Sequence, residues 1–242
     1  MMALNHFFFV VFPYIAIVVF IVATIYRYRS SGFGTSSLSA QFLEGNRGFW
    51  GTVPFHLAIL MLFLGHLLMF ALPEIVLLWN SNPWRLITHE GIAFTFGLVA
   101  LVGLAVLIAR RLSNARIRVV TSGMDVFIEL LLLVQIILGC WIALGYRWGS
   151  SWFAADLSPY LWSILKLDPQ ANAVNAMPLV IKLHIVGAFL ILFLVPFSRL
   201  VHFLVAPFHY LWRPYQVVIW YWDRKYVRRP DRAWAENRPR NT

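Results

Sequence analysis

The sequence predicts an all-α fold, an integral membrane bundle of five transmembrane helices with the N-terminus outside and the C-terminus cytoplasmic. Three observations carry this. The 242 residues are 60% hydrophobic and only 12% charged, with a mean hydropathy of +0.72, whereas a soluble domain is about a quarter charged. Five apolar runs match a hydrocarbon core roughly 30 Å thick, which a helix crosses in about 20 residues. The twenty Lys and Arg residues fall mainly on one side of those runs, and short cytoplasmic loops hold an excess of such residues.

The runs extend approximately over 6–25, 53–72, 91–108, 124–144 and 179–206. The first has no basic segment before it, and its cations Arg27 and Arg29 follow it, so it reads as an uncleaved span rather than a secretory signal. Arg27, Arg29 and Arg47 lie between runs one and two, and Arg110, Arg111, Arg116 and Arg118 between three and four. The tail adds eight more, from Arg213 to Arg240. The opposite side has only Arg85, Arg147, Lys166 and Lys182, and Arg199 lies within run five. A net charge of +10 placed this way is explained by topology and anionic lipid rather than by nucleic acid.

The chain reads as one membrane domain over 1–242, ending in a basic, aromatic cytoplasmic tail at 207–242 that suits headgroups or a cytoplasmic partner. In the longer outer segment, Leu157–Leu167 has the pattern of an interfacial helix. The single cysteine, Cys140, lies in run four and reads as helix packing.

Of seven histidines, His6, His89 and His209 fall at the ends of spans, where imidazole reaches water. His56 and His66 lie inside run two, His184 and His202 inside run five. Ionisable groups inside a membrane are rare, and two on each of two helices point to a shared task. The two runs are antiparallel in this topology, so His56 faces His202 near the cytoplasmic side and His66 faces His184 in the outer half. On straight helices the pairs fit poorly, with rises of roughly 15 Å and 27 Å. Pro196, between the two histidines of run five, is expected to kink that helix and shorten its span.

Two facing imidazoles in an apolar bundle suit the axial positions of haem iron. Two pairs imply two haems stacked across the membrane. No Cys-x-x-Cys-His occurs, so both are of b type. Structural zinc requires four ligands at one point and competes poorly. For the inner haem's propionates the candidate cations are Arg199, three residues before His202, and Arg110 and Arg111 at the inner end of run three. Asp125 and Glu129, in the first turns of run four, read as capping or solvated carboxylates.

The stretches "FFFVVFPYIA", "FHLAILMLFLGHL", "RRLSNARIRVVTSGMD" and "KLHIVGAFLILFLVPFSRLVH" together resemble the membrane cytochrome b (gamma) subunit of respiratory nitrate reductase. The likeness covers almost the whole chain, in the same order, and the family's haem ligands map onto His56, His66, His184 and His202. The resemblance implies a subunit of the prokaryotic cytoplasmic (inner) membrane. Menaquinol or ubiquinol would be oxidised beside the outer haem, with protons released outside. Electrons would pass through both haems to an iron–sulfur beta subunit and a molybdenum-containing alpha subunit in the cytoplasm.

The quinol pocket implied by the resemblance lies beside Gly65 and His66 and the segment before run three. There the family has a lysine, whereas this chain reads "NPWRLITHEGIAF", so Arg85, Thr88, His89 or Glu90 is expected to supply the polar group. The tail is longer than the resemblance predicts. Two other readings compete: the same dihaem module serving a related nitrite, oxyanion or sulfur-compound complex, and a proton or metal transporter. Against the transporter stand the absence of sequence repeats, of matching broken half-helices, and of a line of intramembrane carboxylates.

Overall fold

The computed structural model describes residues 2–30 and 49–205. Arg47, Ala206, His209 and the basic tail at 207–242 lie outside the described residues. Nearly all of the described chain is helical, with no strand among those residues, and five helices are long and apolar enough to cross a membrane. We number the principal helices α1 (Ala3–Ser30), α2 (Phe49–Ala71), α3 (Pro73–Asn80), α4 (Pro83–Ser113), α5 (Gly123–Gly145), α6 (Ser158–Leu165) and α7 (Leu179–Leu194). The spanning helices are α1, α2, α4, α5 and α7. Leu57, Leu64, Val102, Val134 and Leu144 on their outer faces are exposed, as lipid-facing residues are.

Local chemistry sets the ends. Asn82 caps α4 by accepting a hydrogen bond from the Trp84 N–H, with Pro83 in the first turn. Ser122 and Asp125 form a reciprocal capping box at the start of α5. At 31 residues α4 is roughly 47 Å long, well beyond what crossing the hydrocarbon core requires. The second spanning helix starts at Phe49, which puts Pro54 inside it rather than at its start.

The strong packing seams join α2 to α4, α4 to α5, α5 to α7 and α7 to α1. Small residues make the first of them. Ala58 and Ala100 are fully buried, and a Cβ on Gly103 would lie 2.9 Å from Phe55 Cβ and 3.0 Å from its Cα and N. Close backbone approach of this kind is how helices associate where lipid is as apolar as a side chain. Cys140 belongs to the same packing, with its Sγ against Gly97. No comparable seam joins α2 to α7, the two helices that carry the paired histidines.

Run five departs most from expectation. The α-helix stops at Leu194 instead of bending through Pro196, and the chain continues as two 3₁₀ segments, Val195–Phe197 and Arg199–Val205, separated by extended Ser198. Pro196 cannot donate the bond that would continue the helix. The Pro196 and Ser198 carbonyls at the break accept bonds of 2.6 Å and 2.8 Å from Arg27 Nη1 at the end of α1. Arg27 thus has a partner in the fold beyond its place in the topology.

The outer segment docks into the bundle instead of only lying on it. One face of α6 is buried at Ser158, Tyr160 and Ile164. Ser158 Oγ and Trp162 Nε1 donate to the Phe70 carbonyl at the end of α2, at 3.0 Å and 2.9 Å, and the Trp162 ring stacks on Phe70. Pro13 has no N–H to offer the Phe9 carbonyl four residues back, and Tyr160 Oη donates to that carbonyl at 2.9 Å. Burial and neighbouring Tyr14 push the Tyr160 phenol above its ordinary range, so it remains a donor. Tyr160→Phe leaves that buried carbonyl unserved and is expected to cost about 1–3 kcal/mol, read as a lower thermal midpoint of the purified complex.

Candidate functional site

Across the opening between α2 and α7, four imidazoles stand in two pairs. The ring centroids of His56 and His202 are 6.4 Å apart, with planes at 63°. Those of His66 and His184 are 6.5 Å apart, at 38°. Two imidazoles bound in trans to one metal at about 2 Å per bond hold their centroids about 6 Å apart. Between the two levels, the Phe63 ring lies 6.5 Å from Phe203. The break at Pro196 is what reconciles the pairs, because His202 sits on a 3₁₀ segment with its own direction rather than 27 Å along a straight helix from His184.

Three of the rings are anchored through Nδ1–H to carbonyls of their own segments: His56 to Thr52 at 2.8 Å, His66 to Leu62 at 2.7 Å and His202 to Arg199 at 2.6 Å. A carbonyl only accepts, so these bonds place the proton on Nδ1 and leave the Nε2 lone pair as the ligating one. A second hydrogen bond of this kind is the usual support of a metal-binding imidazole. His184 is the exception, its buried Nδ1 making no bond to a carbonyl of its own segment. Its surroundings hold it instead. Gln135 Nε2 donates to its backbone carbonyl at 2.8 Å, and a Cβ on Gly139 would lie 3.3 Å from its Cε1. Among the described residues no three His, Cys, Asp or Glu side chains gather, as a structural zinc site needs. The ring spacing at each level and the apolar side chains around it fit what a haem iron would require.

Two of the three arginines expected to hold propionates, Arg199 and Arg111, have carboxylate partners. Arg199 Nε bridges to Asp125 Oδ1 at 3.1 Å, and Arg199 Nη2 donates to the Val120 carbonyl at 2.8 Å. Arg111 Nη2 bridges to Glu129 Oε1 at 2.7 Å and its Nη1 donates to Thr121 Oγ1 at 2.8 Å, while its buried Nε has no partner. Asp125 therefore caps α5, as expected, and also holds Arg199. A guanidinium has five donors, so these bonds leave Arg111 donor capacity for an anion.

One residue before His66, a Cβ on Gly65 would meet nothing within 4 Å, so this glycine packs against no neighbouring helix among the described residues. Phe153 of the outer segment sets its ring against His66 edge-on, with centroids 5.6 Å apart. Arg85 lies over the Trp79 ring at 5.0 Å, and Thr88 Oγ1 donates to the Trp84 carbonyl at 2.7 Å. His89 Nδ1 lies 3.4 Å from Asn80 Oδ1. Glu90 Oε1 accepts from Ser150 N at 2.8 Å and Ser150 Oγ at 2.5 Å, which commits that carboxylate to holding the outer segment.

The family described as nitrate reductase gamma subunit matches residues 5–221. The chain is 33% identical to a nitrate reductase gamma chain of Bacillus subtilis over 211 residues, 86% of this chain and 94% of that one. It is 32% identical to the respiratory nitrate reductase 2 gamma chain of Escherichia coli over 223 residues, 89% of this chain and 96% of that one. With the respiratory nitrate reductase 1 gamma chain of the same organism the identity is 30%, over 90% and 98% of the two chains. The chain belongs to the nitrate reductase gamma subunit family. It is thus a multi-pass membrane member of a family of oxidoreductase subunits.

Several residues that build this gamma-family site are silent in the sequence. Gln135, Gly139 and Gly187 act on His184 from packing partners, Phe153 reaches His66 from the outer segment, and Arg27 holds the break before His202. Gln135, an amide alone in an apolar run, carried the one signal that could have been read, because a polar side chain in a span needs a partner.

Proposed function

We propose that this chain is the quinol-oxidising dihaem cytochrome b subunit of a respiratory nitrate reductase, and the observation that carries the reading is the two imidazole pairs at 6.4 Å and 6.5 Å. His56 and His202 would hold the inner haem b and His66 and His184 the outer, with Arg111 and Arg199 beside the inner propionates. Bound there, the two haems supply one-electron transfer across the membrane. Gly65 opens the approach to His66, and Arg85, Thr88 and His89 are the polar groups at that end from which quinol recognition is drawn. Protons leave outside, where the N-terminus lies. Electrons leave at the cytoplasmic side to an iron–sulfur beta subunit and a molybdenum-containing alpha subunit. The membrane is the prokaryotic inner membrane and the donor menaquinol or ubiquinol.

The experiment is purification of the chain with its partner subunits, followed by a pyridine haemochrome assay and quinol:nitrate activity. Two b haems per chain, quinol-dependent nitrate reduction and co-purifying iron–sulfur and molybdenum subunits are expected. A haem-free chain, or a complex that reduces a different acceptor, overturns the reading.

A further inference from the structure

Among the four paired histidines, His184 alone has no Nδ1 bond to a carbonyl of its own segment. A ring without such an anchor rotates more freely about its side-chain bonds, so something else must fix where it points. Its helix is fixed at that level from α5. Gln135 Nε2 donates to the His184 carbonyl at 2.8 Å across a sequence separation of 49 residues. The Gln135 amide reaches that carbonyl because Gly187, three residues on, has no side chain: a Cβ there would collide with Gln135 Oε1. One turn along α5, Gly139 leaves room for the imidazole itself, its added Cβ falling 3.3 Å from His184 Cε1. Gln135 and Gly139, four residues apart, lie on one face of α5 and receive His184 and Gly187 of α7.

We propose that Gln135 is the positioning residue for the His184 imidazole: its bond to the His184 carbonyl, with Gly139 and Gly187 clearing the space, fixes the height and rotation of that ring opposite His66. The inference rests on the dihaem reading above and deepens it. The inner pair has no counterpart to this device, since both its rings are anchored by their own segments.

The test uses the whole purified complex, with the outer haem's EPR and potentiometric signals assigned by their loss in His66→Ala. Gln135→Met keeps the length and removes the donor. Two haems are expected to remain, with the outer low-spin EPR signal shifted. A tenfold change in the relative affinity of the imidazole for the two oxidation states moves the outer midpoint potential by about 59 mV, and the inner haem keeps its wild-type values. Gly187→Ala, which displaces the same amide by a different route, shifts the same signal. The double variant Gln135→Ala/Gly187→Ala shifts it by less than the sum of its two single changes. Unchanged outer signals in both Gln135→Met and Gly187→Ala overturn the proposal. Equal movement of both haems also overturns it, because that is what general loosening of the bundle produces. A wild-type complex without b haem overturns the dihaem reading and this inference together, whereas haem present with an indifferent Gln135 overturns this inference alone.

Discussion

In His184→Ala the chain is expected to keep one b haem, the inner one, and in His202→Ala to keep only the outer one. Each imidazole faces a single partner, at 6.4 Å or 6.5 Å between centroids, so alanine would remove one of the two residues proposed to hold a haem at one level and neither at the other. His66→Ala therefore repeats His184→Ala, and His56→Ala repeats His202→Ala. The double variant within one pair is no worse than either single, because residues that act as a unit are not additive. Losing a residue that only orients a metal ligand costs roughly 10–100-fold in affinity or activity, and loss of the ligand itself is expected to exceed that in quinol:nitrate turnover. Haem content per chain falls from two to one, and one component disappears from the potentiometric titration. Two haems retained in both His184→Ala and His202→Ala would sink the assignment.

That pairing could be read from the sequence because runs two and five are three crossings apart and therefore antiparallel, which does not depend on packing. Five runs placed the helices to within a few residues at most ends, since the hydrophobic length of a span is set by the membrane. The first turns of α4 and of α2 were missed because polar and aromatic residues outside the hydrocarbon still continue a capped helix, as from Asn82. The break in run five was half legible. Pro196 announces a lost hydrogen bond, but whether a helix bends or stops also depends on what takes the carbonyls at and beyond the break. Here that is Arg27, 169 residues away in the sequence. The same limit hid the arginine–carboxylate pairs: Asp125 caps α5 as expected, but Glu129, expected to cap or to be solvated, does neither and bridges Arg111, and Arg199 and Arg111 reach the two carboxylates only once α4, α5 and the 3₁₀ segment converge. Glycines were the least legible of all, because Gly65 faces open space while Gly103 touches a backbone, and nothing in the local sequence separates the two.

Gly103 gives the second large effect, and it is expected to fall on the haem assigned to His56 and His202. Its hydrogen occupies the place where any Cβ would press on Phe55 Cβ, Cα and N at 2.9–3.0 Å. Two of those three atoms are backbone, which no rotamer change can move aside. Gly103→Val therefore drives α2 and α4 apart at Phe55, a residue that is itself buried and adjacent to His56. Overpacking of this kind costs typically about 1–3 kcal/mol, and here the displaced atoms are those that aim the His56 ring, whose Nδ1 anchor at Thr52 lies on the same stretch of helix. The outer pair is spared, because its supports come from the Leu62 carbonyl one turn before His66 and from α5 through Gln135. The expected result is a lowered thermal midpoint with the inner haem lost or shifted in potential before the outer. Gly103→Ala, which lacks both γ-methyls of valine, gives the same order of loss at smaller size. If Gly103→Val instead keeps both haems at wild-type potentials, the contact at Phe55 does not set the position of His56.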